Sequence, residues 1–164
     1  MPSKLQIAKL NTTDDFLTPP YIVKAMGEFD LDPCSSPRQS EPLAKETYCW
    51  PDRDGLMLPW HGNVFVNPPF SELQAWVNRF VLHGRGIMLV PARVEVSWFW
   101  KLWQKSEAIY FTKGPVKYIC PEGKNPPGFF GGAFCSMGDN AWRLRQLRLK
   151  GVFLQRWEVE DFRA

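Results

Sequence analysis

The sequence predicts an α/β fold: one compact domain with a mostly parallel central sheet and helices on both faces. Three observations carry this. Val64-Phe65-Val66 and Ile87-Met88-Leu89-Val90 are short apolar runs without polar alternation, as strands buried on both faces require. Between them Leu73, Trp76, Val77, Phe80 and Val81 recur at helical spacing as one apolar stripe, so strand, helix and strand form a βαβ unit. With 164 residues, 45% of them hydrophobic, the chain can fill one core but has few residues left for a second module.

The elements follow in chain order. Residues 1–13 are expected to be a loose N-terminus. Thr18 can cap a helix with Pro19 at its first position, and Gly27 ends that helix after Met26. Phe29 to Cys34, apolar and acidic, reads as the first strand, entering a turn at Pro33. Residues 35–54 read mostly as loop. After Val66, Ser71 and Glu72 open the amphipathic helix and Gly84 closes it. Trp98, Phe99, Trp100 and Trp103 share a short helix, most of them in the core. Further strands are expected over 108–111, 117–119 and 134–136, and a last helix, capped by Asp139 or Asn140, over the Arg-rich stretch that reaches Lys150.

Asn67-Pro68-Pro69-Phe70 directly follows the strand 64–66 and so lies at a carboxyl end, where open α/β sheets bind ligands. An amino group conjugated to a ring is a poor nucleophile because its lone pair is delocalised. The Asn67 side-chain oxygen and the Pro68 carbonyl can accept its two hydrogens and free that lone pair, while two prolines fix the carbonyl's direction. Phe70 offers a flat apolar face on which an extruded base can stack. Asn-Pro also marks turns, and the tetrapeptide alone reads equally as turn or site. A second copy, Asn125-Pro126-Pro127-Gly128, follows no strand, has Gly in place of the ring, and reads as a loop.

Asp32 ends the first strand, where a carboxylate can meet the cationic amine or ribose hydroxyls of a nucleoside-type cofactor; the competing reading is an Asp-Pro turn. No G-x-G-x-x-G or P-loop run is present, which argues against a dinucleotide or nucleoside triphosphate. Cys34, Cys49, Cys120 and Cys135 include no C-x-x-C pair, and His61 and His83 have no ligand spacing beside them, so no metal is expected. Without a signal peptide or membrane-length apolar run, the expectation is a soluble cytoplasmic protein with reduced thiols and no membrane partner.

The chain resembles the small phage-type DNA N-6-adenine methyltransferases in the order and spacing of several blocks. These are residues 15–20, 29–34, Asp54-Gly55-Leu56 with Trp60, 64–71, and Val90-Pro91-Ala92-Arg93 followed by Trp98-Phe99, with a weaker echo at Gly132-Ala133-Phe134. The resemblance implies a class I, Rossmann-like catalytic domain over residues 14–164. It implies transfer of a methyl group from S-adenosylmethionine to N6 of an adenine flipped out of double-stranded DNA. By similarity Asn67, Pro68, Pro69 and Phe70 match the catalytic motif. Thr18, Pro19, Asp32, Pro33 and Asp54 match cofactor-binding positions. Phe70 stands where Tyr is common, and the cofactor loop is Asp-Pro-Cys-Ser rather than Gly-rich. The same motif also serves methylation of RNA bases or protein glutamine, and a non-catalytic DNA-binding protein could keep the same sheet.

With no room for a recognition module, DNA contacts are expected from loops: Arg93, Lys124, Phe129, Arg143 and Arg145. Arg93 could equally pair with Glu95. The loop over 120–132 reads as a wedge or lid carrying Lys124, Phe129 and Phe130, or as a hairpin whose rings fold back onto the domain. Arg143, Arg145, Arg148 and Lys150 could neutralise phosphates or form a solvated face; a net charge of +3 does not decide between these.

Overall fold

The structure, a computed structural model, describes residues 16–120 and 130–155. In chain order these form α1 (Pro20–Ala25), β1 (Leu31–Ser35), β2 (Glu46–Cys49), β3 (Val64–Val66), a 3-10 turn (Phe70–Glu72), α2 (Leu73–His83), β4 (Gly86–Pro91), α3 (Ser97–Lys105), β5 (Ala108–Pro115), β6 (Gly131–Met137), α4 (Ala141–Leu144) and β7 (Gly151–Gln155). All seven strands join one sheet in the order β2-β1-β3-β4-β6-β5-β7.

Alternation along the strands sorts the core into two layers. Val64, Val66, Met88 and Val90 face α2 and α3, packing on Trp76, Val77, Phe80, Phe99 and Leu102. Phe65, Ile87 and Leu89 point the other way, onto Ile22 and Val23 of α1, Met26 just after it, and Leu144 of α4. Helices therefore cover both faces. β3 and β4 are buried at every residue, which is why their sequence lacks polar alternation.

The sheet is mixed, which corrects the expectation of a mostly parallel one. β1 pairs in parallel with β2 and β3, and β3 with β4. β6 then enters antiparallel between β4 and β5, and β7 adds antiparallel to β5. The expected strand at 117–119 is reduced to one bridge, Leu17 to Ile119. The stretch expected to be loop holds β2, and the Arg-rich stretch ends in β7 instead of continuing as a helix. Four residues form α4, and Asn140 occupies its N-cap without a side-chain capping bond. Glu107, at the start of β5, accepts the backbone N–H groups of Asp139, Asn140 and Ala141. Thr18 likewise caps nothing: Pro19 occupies the N-cap of α1, and no side-chain bond closes it. Gly84 ends α2 with φ 72°, a left-handed conformation suited to Gly.

β1 is the switch point of the sheet, because β2 leaves on one side of it and β3 lies on the other. Pro33 has no N–H for the ladder, and the β1–β2 register shifts between Asp32 and Ser35, while β1 meets β3 only at Leu31 and Val64. β1 and β3 therefore part beyond that pair, while β1 and β2 pair again at Ser35 and Cys49, and the sheet opens between β1 and β3.

Candidate active site

A cavity of about 560 Å³ occupies this opening, within the usual range for small-ligand sites. Thr18, Asp32, Pro33, Asp54, Asn67 and Pro69 line it together, although they lie up to 51 positions apart in the chain. Pro19, Pro68, Phe70, Arg93, Arg143 and Arg145 do not line it. Lys124 and Phe129, and the expectation for residues 1–13, lie outside the described residues.

Asn67 leaves β3 with its amide held in one orientation. Its Nδ2 donates to the Phe16 carbonyl at 2.7 Å, so Oδ1 is the free end. That oxygen is buried and accepts no hydrogen bond among the described residues. Thr18 Oγ1 and Trp76 Nε1, on two further residues lining the cavity, are buried and unpartnered in the same way. Three orphaned polar atoms around one cavity are a donor and acceptor set suited to a bound ligand, since burying such groups unpaired costs roughly 1–3 kcal/mol each.

Asp32 is 4% exposed, and its Oδ1 accepts the Cys34 N–H at 3.1 Å. Burial outweighs that bond and a second one to Ser35, raising the carboxyl from its usual 3.8 to about 7. Cys34 lies beside it, and burial together with the Asp32 charge pushes its thiol well up, so it stays neutral. Asp30 points elsewhere: its carboxyl accepts the Asn63 N–H at 2.8 Å and braces the start of β3. Asp54 Oδ1 accepts the Leu56 N–H at 2.9 Å and shapes the turn that brings Gly55 against Pro33. A Cβ on Gly55 would stand 1.7 Å from the Pro33 carbonyl oxygen, so only Gly allows this approach. Trp60 packs behind the lining, donating to the Gly55 carbonyl at 2.7 Å and stacking on Trp76.

Phe70 turns into an aromatic cluster beside Asn67. Its ring centroid lies 5.2 Å from Phe16 and 6.2 Å from Tyr118. The paired backbones of Leu17 and Ile119 hold those two rings together. Sequence reasoning missed Phe16, Tyr118 and Trp76 as site residues. Phe16 and Tyr118 belong to no periodic element, and Trp76 was absorbed into the apolar stripe of α2.

Arg93 sits at the carboxyl edge, bonded to Glu95 at 2.8 Å with its guanidinium 5.4 Å from the Phe130 ring, which is 45% exposed. Arg143 departs from the expectation of a phosphate contact. It is 9% exposed; its Nη1 donates to the Met26 and Glu28 carbonyls and its Nε to Asn140 Oδ1, at the amino ends of the parallel strands. Arg145 bonds Gln155 and covers Phe153, also away from the cavity.

Fold and site together define an α/β protein with a ligand cavity at the switch point of its sheet. The family model for DNA N-6-adenine-methyltransferase (Dam) matches residues 8–137, and the chain belongs to that family. Membership supports a methyltransferase. Comparisons with curated proteins and with solved structures return no match. Among the described residues, no helix is long and apolar enough to cross a membrane, and no three His, Cys, Asp or Glu side chains gather as a metal site.

Proposed function

We propose that the chain transfers a methyl group from S-adenosylmethionine to N6 of an adenine rotated out of double-stranded DNA, and that its fold is of the class I, Rossmann-like type. The buried Asn67 Oδ1, an acceptor without a donor among the described residues at the mouth of the sheet, carries the proposal. Five strands, β1 to β5, point the same way, which supports the class I reading despite the reversed β6 and β7.

The residues fit the cofactor. The buried carboxyl of Asp32, raised to about 7, can hold its ammonium group when ionised or its ribose hydroxyls. Asp54 adds a second carboxylate, and Thr18 Oγ1 and Trp76 Nε1 await partners. Pro33 shapes this side of the cavity, and Pro19 fixes the approach of Thr18. When bound, S-adenosylmethionine supplies a methyl group on a sulfonium, an already activated leaving group.

The protein's work is orientation and electrostatics. Asn67 Oδ1 accepts one hydrogen of the adenine amine and the Pro68 carbonyl the other, localising the nitrogen lone pair. Both acceptors oppose the positive charge that develops on that nitrogen. Phe70, backed by Phe16 and Tyr118, presents the apolar face against which the base lies. Pro69 keeps the motif rigid, and no side chain acts as nucleophile.

The test is incubation with S-adenosylmethionine carrying an isotopic methyl group and, separately, with duplex DNA, RNA and protein, followed by digestion and mass spectrometry. Label in N6-methyladenine of the DNA is the expected result. Label confined to RNA or glutamine, or no label with any substrate, would overturn the proposal.

A further inference from the structure

One edge of the sheet carries a group of cations without acidic residues among them. β5 runs with β4 and β7 runs against β5, so the end of β5 and the start of β7 lie at the same edge as Asn67. Lys113, Lys117, Arg148 and Lys150 are exposed there, and the Lys113 N–H donates to the Lys150 carbonyl at 2.7 Å, tying the two strand ends together. None of the four has an ion-pair partner among the described residues. Residues 108–120 and 141–155 contain no Asp or Glu. The four cations exceed the net charge of +3, which leaves the rest of the chain slightly acidic. Lys117 adjoins Tyr118, so the basic rim begins at the aromatic cluster beside Asn67 and runs outward to the edge strand.

We propose that this rim grips the phosphates of the substrate duplex and sets the DNA across the mouth of the cavity. The proposal rests on the methyl-transfer reading for the identity of the polyanion. It also narrows the phosphate contacts expected along the Arg-rich stretch to Arg148 and Lys150. Arg143 and Arg145 are held internally or at the far edge, whereas Arg148 and Lys150 are exposed on the side of the site and have no ion-pair partner among the described residues. Phosphate contacts of this kind position a duplex without reading its sequence.

Fluorescence anisotropy with a labelled adenine-containing duplex, over a range of salt concentrations, tests it. Each lost phosphate contact should flatten the slope of log K against log salt by about 0.9, so K113Q/K117Q and R148Q/K150Q should each weaken binding roughly fifty-fold at 0.1 M salt. K24Q/K105Q removes the same charge from the opposite edge and should bind as the unmodified protein does. Thermal unfolding and cofactor titration confirm that every variant is folded. If the rim variants bind like K24Q/K105Q while the unmodified protein methylates DNA, the rim proposal fails and the methyl-transfer reading stands. If the rim variants lose binding but no DNA is ever methylated, the rim stands and that reading fails. Failure of the unmodified protein to bind duplex DNA overturns both.

Discussion

Replacing Asp32 with Asn should stabilise the fold at pH 8 while weakening its hold on a cationic cofactor. The carboxyl is 4% exposed, and burial lifts it from the usual 3.8 to about 7. Because the folded-state value lies above the unfolded one, the folded chain holds more protons between these two values, and stability falls as pH rises through them. The contribution is fully present below the unfolded value and gone above about pH 7. A shift of roughly three units at about 1.4 kcal/mol per unit makes the ionised carboxyl cost on the order of 4 kcal/mol. Asn keeps the shape and the acceptor for the Cys34 N–H but never ionises. Urea unfolding of both proteins at pH 4, 6 and 8 should therefore show a difference near zero at pH 4 that grows to several kcal/mol in favour of Asp32→Asn at pH 8. A constant difference across that range, or a variant less stable than the parent at pH 8, would refute the burial argument. The same linkage makes cofactor binding expel a proton from Asp32 below pH 7, so affinity should rise with pH up to that point and then level off.

Three further outcomes follow from the packing around the site. Gly55→Ala should force the 54–56 turn away from Pro33, costing roughly 1–3 kcal/mol of stability and weakening cofactor binding in isothermal titration. Arg143→Met strips the Met26 and Glu28 carbonyls and Asn140 of their shared donor, so chemical denaturation should show a loss of about 3 kcal/mol, while the salt dependence of DNA binding stays unchanged. Phe70→Ala removes a stacking face worth about 1–3 kcal/mol, and should lower methylation of DNA by roughly ten- to a hundredfold with cofactor affinity kept within a few-fold.

The βαβ unit was legible because its signals are local: unbroken apolar runs, an apolar stripe at helical spacing, and Gly84 in a left-handed turn. The tetrapeptide's place at a strand end followed from that unit, and Asp32 and Asp54 meet Asn67 at the cavity it implied. What stayed hidden depends on contacts distant in sequence. β2 is a short strand between long loops, and Tyr48 is its one buried residue. β7 is exposed at most positions and is held by pairing with β5, so its sequence carries no core pattern. The direction of β6 is set by where it inserts, which no local pattern encodes. Arg143 read as a phosphate contact or a solvated face, yet it ties α4 to the chain before β1, and Glu107, in no sequence pattern, caps α4 from just ahead of β5. The Phe16 carbonyl that orients Asn67 is 51 residues away from it.

Single-turnover kinetics of Asn67→Ala, set beside its cofactor affinity, test the central claim most directly: that the buried Asn67 amide oxygen receives the amine being methylated. The account predicts a fall in the transfer rate of about two to three orders of magnitude with the cofactor dissociation constant nearly unchanged. An unchanged rate, or equal losses in rate and cofactor affinity, would contradict it.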